Sequence, residues 1–340
     1  MITQICRLKD PGLGAWVFPV VLFEAIGFGM KAIRIHGAPG SEVLSLEEVP
    51  VPKLTTGEIL VRVHATAVTP GELEWYPTWH TPKGEPRAYA VPCHEFSGVI
   101  EDIAPDVKGW NRGDAVYGMN DWFTDGAAAE YCIAKPTEIA KKPTAINHLQ
   151  AAVVPISALT AWQGLFDRGN LQPGQKVLVH GGAGGVGSFA IQLAVWKGAF
   201  VITTVSEPDA NFVRELGARQ AIDYRKARFE ELVTDADLVL DLVGVDTLRA
   251  SFRVIKPAGR VITITTSSES ETDQKIKEAF FIVAANPDQL REISKLIDTG
   301  VLRPVVREVL PIDAAAQAYS PTKIKGHGKT VLQVFDPAAE

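Results

Sequence analysis

A glycine-rich turn between two apolar segments is the feature that most constrains the fold of this 340-residue chain. A short apolar run at 177–179 is followed by HGGAGGVG at 180–187, and a long apolar-periodic segment comes next. That order predicts a strand, a tight turn and a helix. Gly182, Gly184 and Gly187 have the G-x-G-x-x-G spacing, in which the first glycine allows a sharp turn, the second admits a pyrophosphate and the third allows close helix packing. Free N–H groups and the helix dipole attract an anion there, so a dinucleotide site is expected, and a turn without a ligand is the weaker alternative.

The residues after this turn alternate between strand-like and helix-like segments. Short apolar runs typical of strands lie at 200–205, 221–224, 237–244 and 259–265, and the segment 208–216 is typical of a helix. Such alternation predicts βαβ units and a parallel sheet covered on both faces. We therefore expect a dinucleotide to lie across the carboxyl ends of the strands, where the strand order reverses.

Composition and charge exclude several classes of partner. The chain is 46% hydrophobic and 22% charged, with a formal net charge of -6 and a pI near 5.7. This balance argues against nucleic acid and against acidic membrane surfaces as partners. Cys6, Cys93 and Cys132 include no C-x-x-C pair, which excludes a four-cysteine zinc site and favours a reducing compartment. We expect a cytoplasmic protein.

The first 29 residues have a different character from the rest. Residues 11–29 are apolar and follow Arg7 and Lys9, as in a signal peptide, but Pro19 and Glu24 interrupt the run. The segment is too short and too broken for a membrane span. We expect residues 1–29 to be an extension that the fold does not need, with a signal-like role as the alternative.

Short strands separated by proline and glycine are predicted from residue 31 to about residue 142. This pattern is typical of a compact, mainly β, barrel-like domain. A helix is predicted at 151–166 and another at 287–298, and a strand is predicted at 328–335. Because the strand-like pattern of residues 31–142 returns at 328–335, the two ends of the chain are expected to share one domain, with the nucleotide-binding unit inserted between them.

Seven segments spread along the chain carry a family resemblance. They are VPCHEFSGVIEDIAPDVKGWNRGDAVYG at 91–118, AAAEYCIA at 127–134, PISALTAWQGL at 155–165, HGGAGGVG at 180–187, LVLDLVG at 238–244, QLREISKLIDTGVLRPVV at 289–306 and GHGKTVLQV at 326–334. From Met30 to its end, the chain resembles the medium-chain dehydrogenase/reductase superfamily, and within it the zinc-free quinone oxidoreductase branch that includes zeta-crystallin.

This resemblance implies an α/β fold, in which a doubly wound parallel Rossmann sheet is inserted in a GroES-like β-barrel domain. Residues 30–151 plus 286–340 would form the GroES-like substrate domain, and residues 152–285 the Rossmann nucleotide-binding domain. The active site would lie in the cleft between them. Relatives commonly dimerise, so we expect a homodimer, with a strand at Phe280–Val283 as a candidate edge.

The resemblance also bears on metal binding. Zinc-dependent members hold a catalytic ion with a Cys, a His and a third Cys or acidic group. This chain keeps His94 and Glu95, but Thr69 stands where the first Cys would be, and the later ligand position falls near Ile156. Two of three ligands are thus missing, and we predict no metal site. Cys93 is adjacent to His94 on a predicted strand, where neighbouring side chains point to opposite faces, so chelation by that pair is disfavoured.

Without zinc, no Lewis acid holds an alkoxide, and the oxidation of alcohols becomes harder. Reduction of an electrophilic acceptor needs no metal, because NADPH supplies a hydride and the conjugated system accepts it. We therefore predict zinc-independent, NADPH-dependent reduction of small quinones or α,β-unsaturated carbonyls. The alternatives are an enoyl-thioester reductase and a non-catalytic NADPH-binding sensor or structural protein.

Hydrogen-bond donors to the carbonyl oxygen of the acceptor would stabilise the anion that forms on it. Thr69 and Tyr76 are the predicted catalytic residues, with Tyr131 as a weaker candidate. Family members often carry Asn-Pro-x-Asp where this chain has Thr-Pro-Gly-Glu at 69–72. Trp75 could stack on a flat acceptor or could simply pack its loop on the barrel.

The end of the second predicted strand bears on the choice of cofactor. NAD-specific sites place an acid there, where it binds the ribose 2′-OH and repels a 2′-phosphate. Here that strand ends near Ser206, which is neutral and can donate a hydrogen bond to phosphate. Glu207 and Asp209 follow directly and would oppose a phosphate. We expect NADP(H), with NADH or dual use as the alternative.

The resemblance places further residues at the cofactor. Tyr224 and Lys329 match family positions near the 2′-phosphate, and Arg225 could add positive charge. The predicted cofactor-binding residues are Thr160, Gly182, Gly184, Gly185, Val186, Gly187, Ser206, Tyr224, Arg225, Val243 and Lys329.

Overall fold

The structure is a computed structural model that describes residues 29–265, 272–320 and 326–335. The predicted N-terminal extension therefore lies outside the described residues, apart from Gly29, which begins the first strand. No helix in the described ranges is long and apolar enough to cross a membrane. The predicted domain boundaries at 30–151, 152–285 and 286–340 stay predictions.

The secondary structure elements follow one another in mixed order. The strands are β1 (Gly29–His36), β2 (Val43–Pro50), β3 (Ile59–Ala67), β4 (Glu95–Ile103), β5 (Ala115–Met119), β6 (Tyr131–Ala134), β7 (Ile139–Lys141), β8 (Lys176–His180), β9 (Phe200–Val205), β10 (Gln220–Asp223), β11 (Ala236–Asp241), β12 (Ile255–Thr263), β13 (Val306–Pro311) and β14 (Lys329–Gln333). The α-helices are α1 (Tyr76–Trp79), α2 (His148–Ala152), α3 (Pro155–Trp162), α4 (Gly185–Trp196), α5 (Ala210–Glu215), α6 (Val245–Ser251), α7 (Gln274–Ala279), α8 (Pro287–Asp298) and α9 (Ala315–Ala318).

Five parallel strands form one sheet in the order β10-β9-β8-β11-β12. The order reverses between β8 and β11, so the glycine-rich turn after β8 lies at the position where α/β sheets bind their ligands. The strand predicted at 200–205 is observed as β9, with the same bounds. The strand predicted at 237–244 ends earlier, at Asp241, because the Asp241 carboxylate accepts the N–H of Gly244 and turns the chain away from the sheet.

The single helix predicted at 151–166 is interrupted. Helix α2 ends before Val153, α3 begins at Pro155, and a π-helical turn follows at Gln163–Arg168. Pro155 has no N–H to donate to the preceding turn, and its ring crowds that turn, which separates the two helices although Val154 itself keeps helical backbone angles. The segment 287–298 forms the predicted helix α8 with the expected bounds.

The second large sheet is mainly antiparallel, in the order β13-β14-β3-β4-β5-β7, with β6 also paired to β3. Strand β14 lies near the end of the chain and pairs with β3, which lies in the first fifth of the chain. The hairpin of β1 and β2 adds to this unit through backbone bonds such as Ile33 N–H to the carbonyl of Ala128 at 2.8 Å.

The strand predicted at Phe280–Val283 is wrong. Phe280 makes a single parallel bridge to Thr263, and the N–H of Phe281 donates to the Thr263 carbonyl at 3.1 Å, after which the chain leaves the sheet. The bridge lies on the side of β12 that faces away from β11, and β12 is the last strand of this sheet. A homodimer stays a prediction.

The two sheets meet at the glycine-rich turn. Gly328, directly before β14, donates its N–H to the carbonyl of Ala183 at 3.1 Å and bridges Gly184. The first residue of β14 is thereby fixed beside the first turn of α4, and this junction forms one side of the cleft described below.

Two alanine substitutions in the turn test how tightly each glycine is packed. A Cβ on Gly187 would lie 2.2 Å from the carbonyl oxygen of Gly181, whereas a Cβ on Gly184 would meet no atom closer than 3.4 Å. We expect Gly187→Ala to lower the free energy of unfolding by about 1–3 kcal/mol, as overpacking does. The matched control, Gly184→Ala, is expected to change it by less than about 1 kcal/mol. Urea denaturation measures both, and equal losses would contradict the packing.

Candidate active site

A cleft of about 780 Å³ lies where the antiparallel unit faces the carboxyl ends of the parallel strands. Its walls come from the loops after β3 and β5, from α3, from the first turn of α4, from Ile264 and residues 280–283, and from the start of β14. Of the predicted site residues, seven line it: Thr69, Tyr76, Thr160, Gly184, Gly185, Val186 and Lys329.

The glycine-rich turn differs in one detail from the sequence interpretation. The sharp turn is made by Gly181, whose φ is +75°, rather than by Gly182. Gly182 is needed for space, since a Cβ there would lie 2.1 Å from the hydroxyl of Thr203. Gly184 is the N-cap of α4 and faces the cleft. The backbone N–H groups of the first turn of α4 are thus available to an anion in the cleft.

A buried ion pair stands at the inner end of the cleft. The ammonium of Lys329 donates to the carboxylate of Glu95, and it also donates to the hydroxyl oxygen of Thr69 at 2.8 Å. Glu95 is completely buried, and Lys329 is only 9% exposed. The second carboxylate oxygen of Glu95 accepts the N–H of Ile156 at 2.8 Å. Burial raises the pKa of Glu95, and the neighbouring ammonium opposes that rise.

Lys329 therefore lies away from the residues with which the resemblance grouped it. Tyr224 follows β10, is 59% exposed and does not line the cleft. The ammonium of Lys329 instead lies beside Thr69 and Glu95, close to where an acceptor would bind. Its role in cofactor binding stays a prediction.

The donor set at the zinc positions does not fit the metal. Glu95 is committed to Lys329 and to a backbone N–H, and Ile156 has no donor atom in its side chain. The Nδ1 of His94 lies 3.1 Å from the Oδ1 of Asn120, and burial lowers the pKa of His94 to about 4, so its imidazole is neutral. Within the described ranges, no three His, Cys, Asp or Glu side chains are arranged to hold an ion.

The acids after β9 are already partnered. Ser206 donates its hydroxyl to the carboxylate of Asp209, whose other oxygen lies 3.0 Å from Nε2 of His327. Glu207 accepts from the ammonium of Lys226. These contacts reduce the repulsion that a 2′-phosphate would meet at this end of the sheet.

The remaining predicted cofactor residues lie at the same edge of the parallel sheet or in α3. Tyr224 is fixed beside the end of β9 by its N–H bond to Val205, and the guanidinium of Arg225 lies 5.5 Å from the Tyr224 ring centre. Val243 is exposed beside Gly181. Thr160 donates its hydroxyl to a carbonyl in its own helix at 2.6 Å.

Aromatic and aliphatic side chains line the outer part of the cleft. Trp75 meets Trp122 edge to face at 5.0 Å, and the exposed Tyr76 stacks on His80 at 4.2 Å. Phe281 forms part of the opposite wall. Sequence reasoning missed Trp122 and the wall at 280–283 as cleft residues, because a single aromatic residue in an aperiodic loop gives no local signal.

A buried polar cluster behind the cleft was also missed. The carboxylate of Glu72 accepts the Tyr319 hydroxyl and, at 2.9 Å, the N–H of Cys93. Cys93 has a φ of +68°, which is the left-handed region, and its Sγ lies 3.2 Å from the Tyr319 hydroxyl. Burial raises the pKa of Glu72 to about 7. The only sequence signal was that Glu72 departs from the family pattern.

Known proteins match both parts of the chain. A family model described as an alcohol dehydrogenase GroES-like domain matches residues 55–144, and one described as a zinc-binding dehydrogenase matches residues 216–332. A 2-methylene-furan-3-one reductase of Solanum lycopersicum is 31% identical over 89% of this chain and 79% of its own length. An NADPH-dependent alkenal/one oxidoreductase, chloroplastic, of Arabidopsis thaliana is 32% identical over 86% of this chain and 76% of its own length. The chain belongs to the medium-chain dehydrogenase/reductase superfamily.

The structural likeness agrees with this membership. The quinone oxidoreductase from Coxiella burnetii has a TM-score of 0.82 and 31% identity, over 90% of this chain and all of that one. The predicted α/β fold, with a Rossmann-like parallel sheet and a GroES-like domain, is confirmed. As a member of the medium-chain dehydrogenase/reductase superfamily, the chain is an oxidoreductase.

Glu72 makes the stability of this superfamily member depend on pH. The folded carboxyl keeps its proton up to about pH 7, while the unfolded one releases it near pH 4.5. The folded state binds more protons between these values, so its stability falls as pH rises through them. We expect Glu72→Gln to remove about 3 kcal/mol of this fall, since one pKa unit corresponds to about 1.4 kcal/mol.

Urea denaturation at pH 4.5, 6 and 7.5 measures this difference. The exposed neighbour Glu74 is the matched control, and Glu74→Gln is expected to follow the wild type. Parallel stability curves for the wild type and Glu72→Gln would show that the buried carboxyl does not carry the effect.

Proposed function

We propose that this protein reduces quinones or α,β-unsaturated carbonyls by hydride transfer from NADPH, without zinc. The observation that carries this proposal is the cleft itself, which joins the start of α4 to the hydroxyl of Thr69 between largely apolar walls. An anion-binding helix start and a hydrogen-bond donor in one apolar cleft are what such a reaction requires. The quinone, alkenal and furanone activities named for its relatives belong to the same chemical class.

A nicotinamide cofactor fits this cleft in one direction. Its pyrophosphate would bind the first turn of α4 at Gly184–Val186, with the adenosine end toward the residues that follow β9 and β10. The nicotinamide end would then lie near Thr69. Tyr224 and Arg225 are the groups available to a 2′-phosphate, since Ser206 already donates its hydroxyl to Asp209, and the partners of Glu207 and Asp209 reduce the repulsion that would otherwise disfavour NADPH.

The chain's own residues orient the acceptor and stabilise the charge that develops on it. When bound, NADPH supplies a hydride from its nicotinamide ring. Thr69 donates a hydrogen bond to the acceptor's carbonyl oxygen, where negative charge accumulates as the β-carbon receives the hydride. Trp75, Trp122 and Phe281 exclude water and hold a flat, apolar acceptor. Tyr76 is a second donor at the mouth, and solvent delivers the final proton.

Absorbance of NADPH at 340 nm, followed with EDTA-treated protein, tests the proposed function. Acceptors are trans-2-hexenal, 1,4-benzoquinone and crotonyl-CoA, with NADH in parallel. We expect chelator-resistant oxidation of NADPH by the aldehyde or the quinone. Turnover of crotonyl-CoA alone would indicate the thioester reductase instead. Tight NADPH binding without oxidation by any acceptor would indicate a non-catalytic protein, and activity lost with EDTA and restored by zinc would overturn zinc independence.

Arg225 gives a separate test of cofactor choice. Because its exposed guanidinium follows β10 beside Tyr224, we expect Arg225→Ala to raise KM for NADPH by about tenfold, the effect of losing one charged contact, and to leave KM for NADH unchanged. Arg228, which pairs with Glu230, is the matched control. An equal rise in KM for both cofactors, or none for either, would show that Arg225 does not recognise the 2′-phosphate.

A further inference from the structure

We infer that Lys329, held by Glu95, is a positioning residue that aims and polarises the Thr69 hydroxyl. This inference rests on the proposed function and names the device behind its hydrogen-bond donor. The resemblance assigns the first zinc ligand to the position of Thr69 and the later one to the region of Ile156. In the structure, the ammonium of Lys329 contacts the Thr69 hydroxyl, and its partner Glu95 accepts the backbone N–H of Ile156.

The hydrogen bond from Lys329 fixes the direction in which Thr69 can donate. An ammonium has only donor hydrogens, so at 2.8 Å the Thr69 oxygen must be the acceptor. The hydroxyl's single proton is then directed elsewhere, and Thr69 lines the cleft. A hydroxyl whose oxygen accepts a charged hydrogen bond is also a stronger donor, because such bonds polarise one another.

The ammonium has little freedom to move. Lys329 begins β14, and its backbone N–H bonds the carbonyl of Val305 at 3.2 Å. The aliphatic stem packs against the start of α4, since a Cβ on Gly185 would lie 2.6 Å from the Cγ of Lys329. The carboxylate of Glu95 holds the far end. A donor held by such contacts requires no reorganisation when charge appears.

This arrangement lets the chain stabilise an enolate without a metal. When bound, the reduced nicotinamide would supply the hydride: its C–H bond would break, and the electron pair would form a new C–H bond at the β-carbon of the acceptor. The π electrons of the acceptor move to its carbonyl oxygen, which accepts the hydrogen bond from Thr69. Water then protonates the α-carbon, the acceptor is reduced, and NADPH is oxidised to NADP+. Lys329 stays protonated throughout and acts only through Thr69.

A double-mutant cycle distinguishes this role from direct cofactor binding and from a purely structural ion pair. The readout is the single-turnover rate of hydride transfer from saturating NADPH to trans-2-hexenal. We expect Thr69→Val to lower this rate about 100-fold, the effect of removing one oxyanion donor, and Thr69→Ser to restore it to within about tenfold of the wild type. Introduced alone, Lys329→Met is expected to lower the rate about tenfold, the effect of losing one polarising hydrogen bond. Added to Thr69→Val, it is expected to cause no further loss, because the hydroxyl it acts through is gone.

Multiplicative losses in the double variant, together with a raised KM for NADPH, would overturn the inference and place Lys329 on the cofactor. An unchanged rate in Thr69→Val would overturn it as well. Because Lys329→Met leaves Glu95 buried without its partner, the pair Lys329→Met with Glu95→Gln is made in parallel, and thermal melting confirms that each variant folds.

The failure of this inference differs from failure of the proposed function. A wild type that reduces neither trans-2-hexenal nor 1,4-benzoquinone contradicts the proposed function itself. A wild type that reduces them, with independent effects at the two positions, contradicts only the role of Lys329.

Discussion

The buried ion pair between Lys329 and Glu95 is the interaction on which the rest of the site depends. Two charges taken out of water are expensive, and such a pair is stable only with good geometry and further hydrogen bonds. Both conditions hold here, because Thr69 and the N–H of Ile156 supply those bonds. Removing one partner would leave the other charge buried, so the two residues act as a unit.

Strand pairing brings these groups together from distant parts of the chain. Glu95 begins β4 and Lys329 begins β14, and both strands pair with β3. Thr69 lies just beyond the end of β3. The two charges and the hydroxyl therefore meet at one end of the three neighbouring strands β14, β3 and β4. The contact of Gly328 with Ala183 places this end of the strands against the glycine-rich turn, so the anion-binding start of α4 and the Thr69 hydroxyl share one cleft.

Much of the parallel sheet could be predicted from the sequence, since its strands are short apolar runs separated by turns. The glycine-rich turn could be located from the sequence because its close packing requires glycine at fixed positions. A Cβ on Gly187, for example, would lie 2.2 Å from the carbonyl oxygen of Gly181. The break before Pro155 was missed, although the missing N–H of a proline inside a predicted helix could have indicated it. The strand at Phe280–Val283 was predicted from apolar content alone, and only one of its residues bridges to the sheet.

The polar part of the site could not be predicted in the same way. Lys329 and Glu95 are far apart in the sequence, and the resemblance grouped Lys329 with Tyr224 instead. The cluster of Glu72, Cys93 and Tyr319 depends on three segments whose proximity only the folded barrel creates. Local patterns specify helices and strands, but partners of buried charges follow from tertiary contacts.

The most direct measurement is a crystal structure of the wild type with NADP+ and 2-cyclohexen-1-one. The account predicts the carbonyl oxygen of the ligand within hydrogen-bond distance of the Thr69 hydroxyl, with the ammonium of Lys329 still on Glu95. A carbonyl oxygen bound to a metal ion at His94, or a Lys329 side chain turned to the cofactor's phosphates, would contradict it.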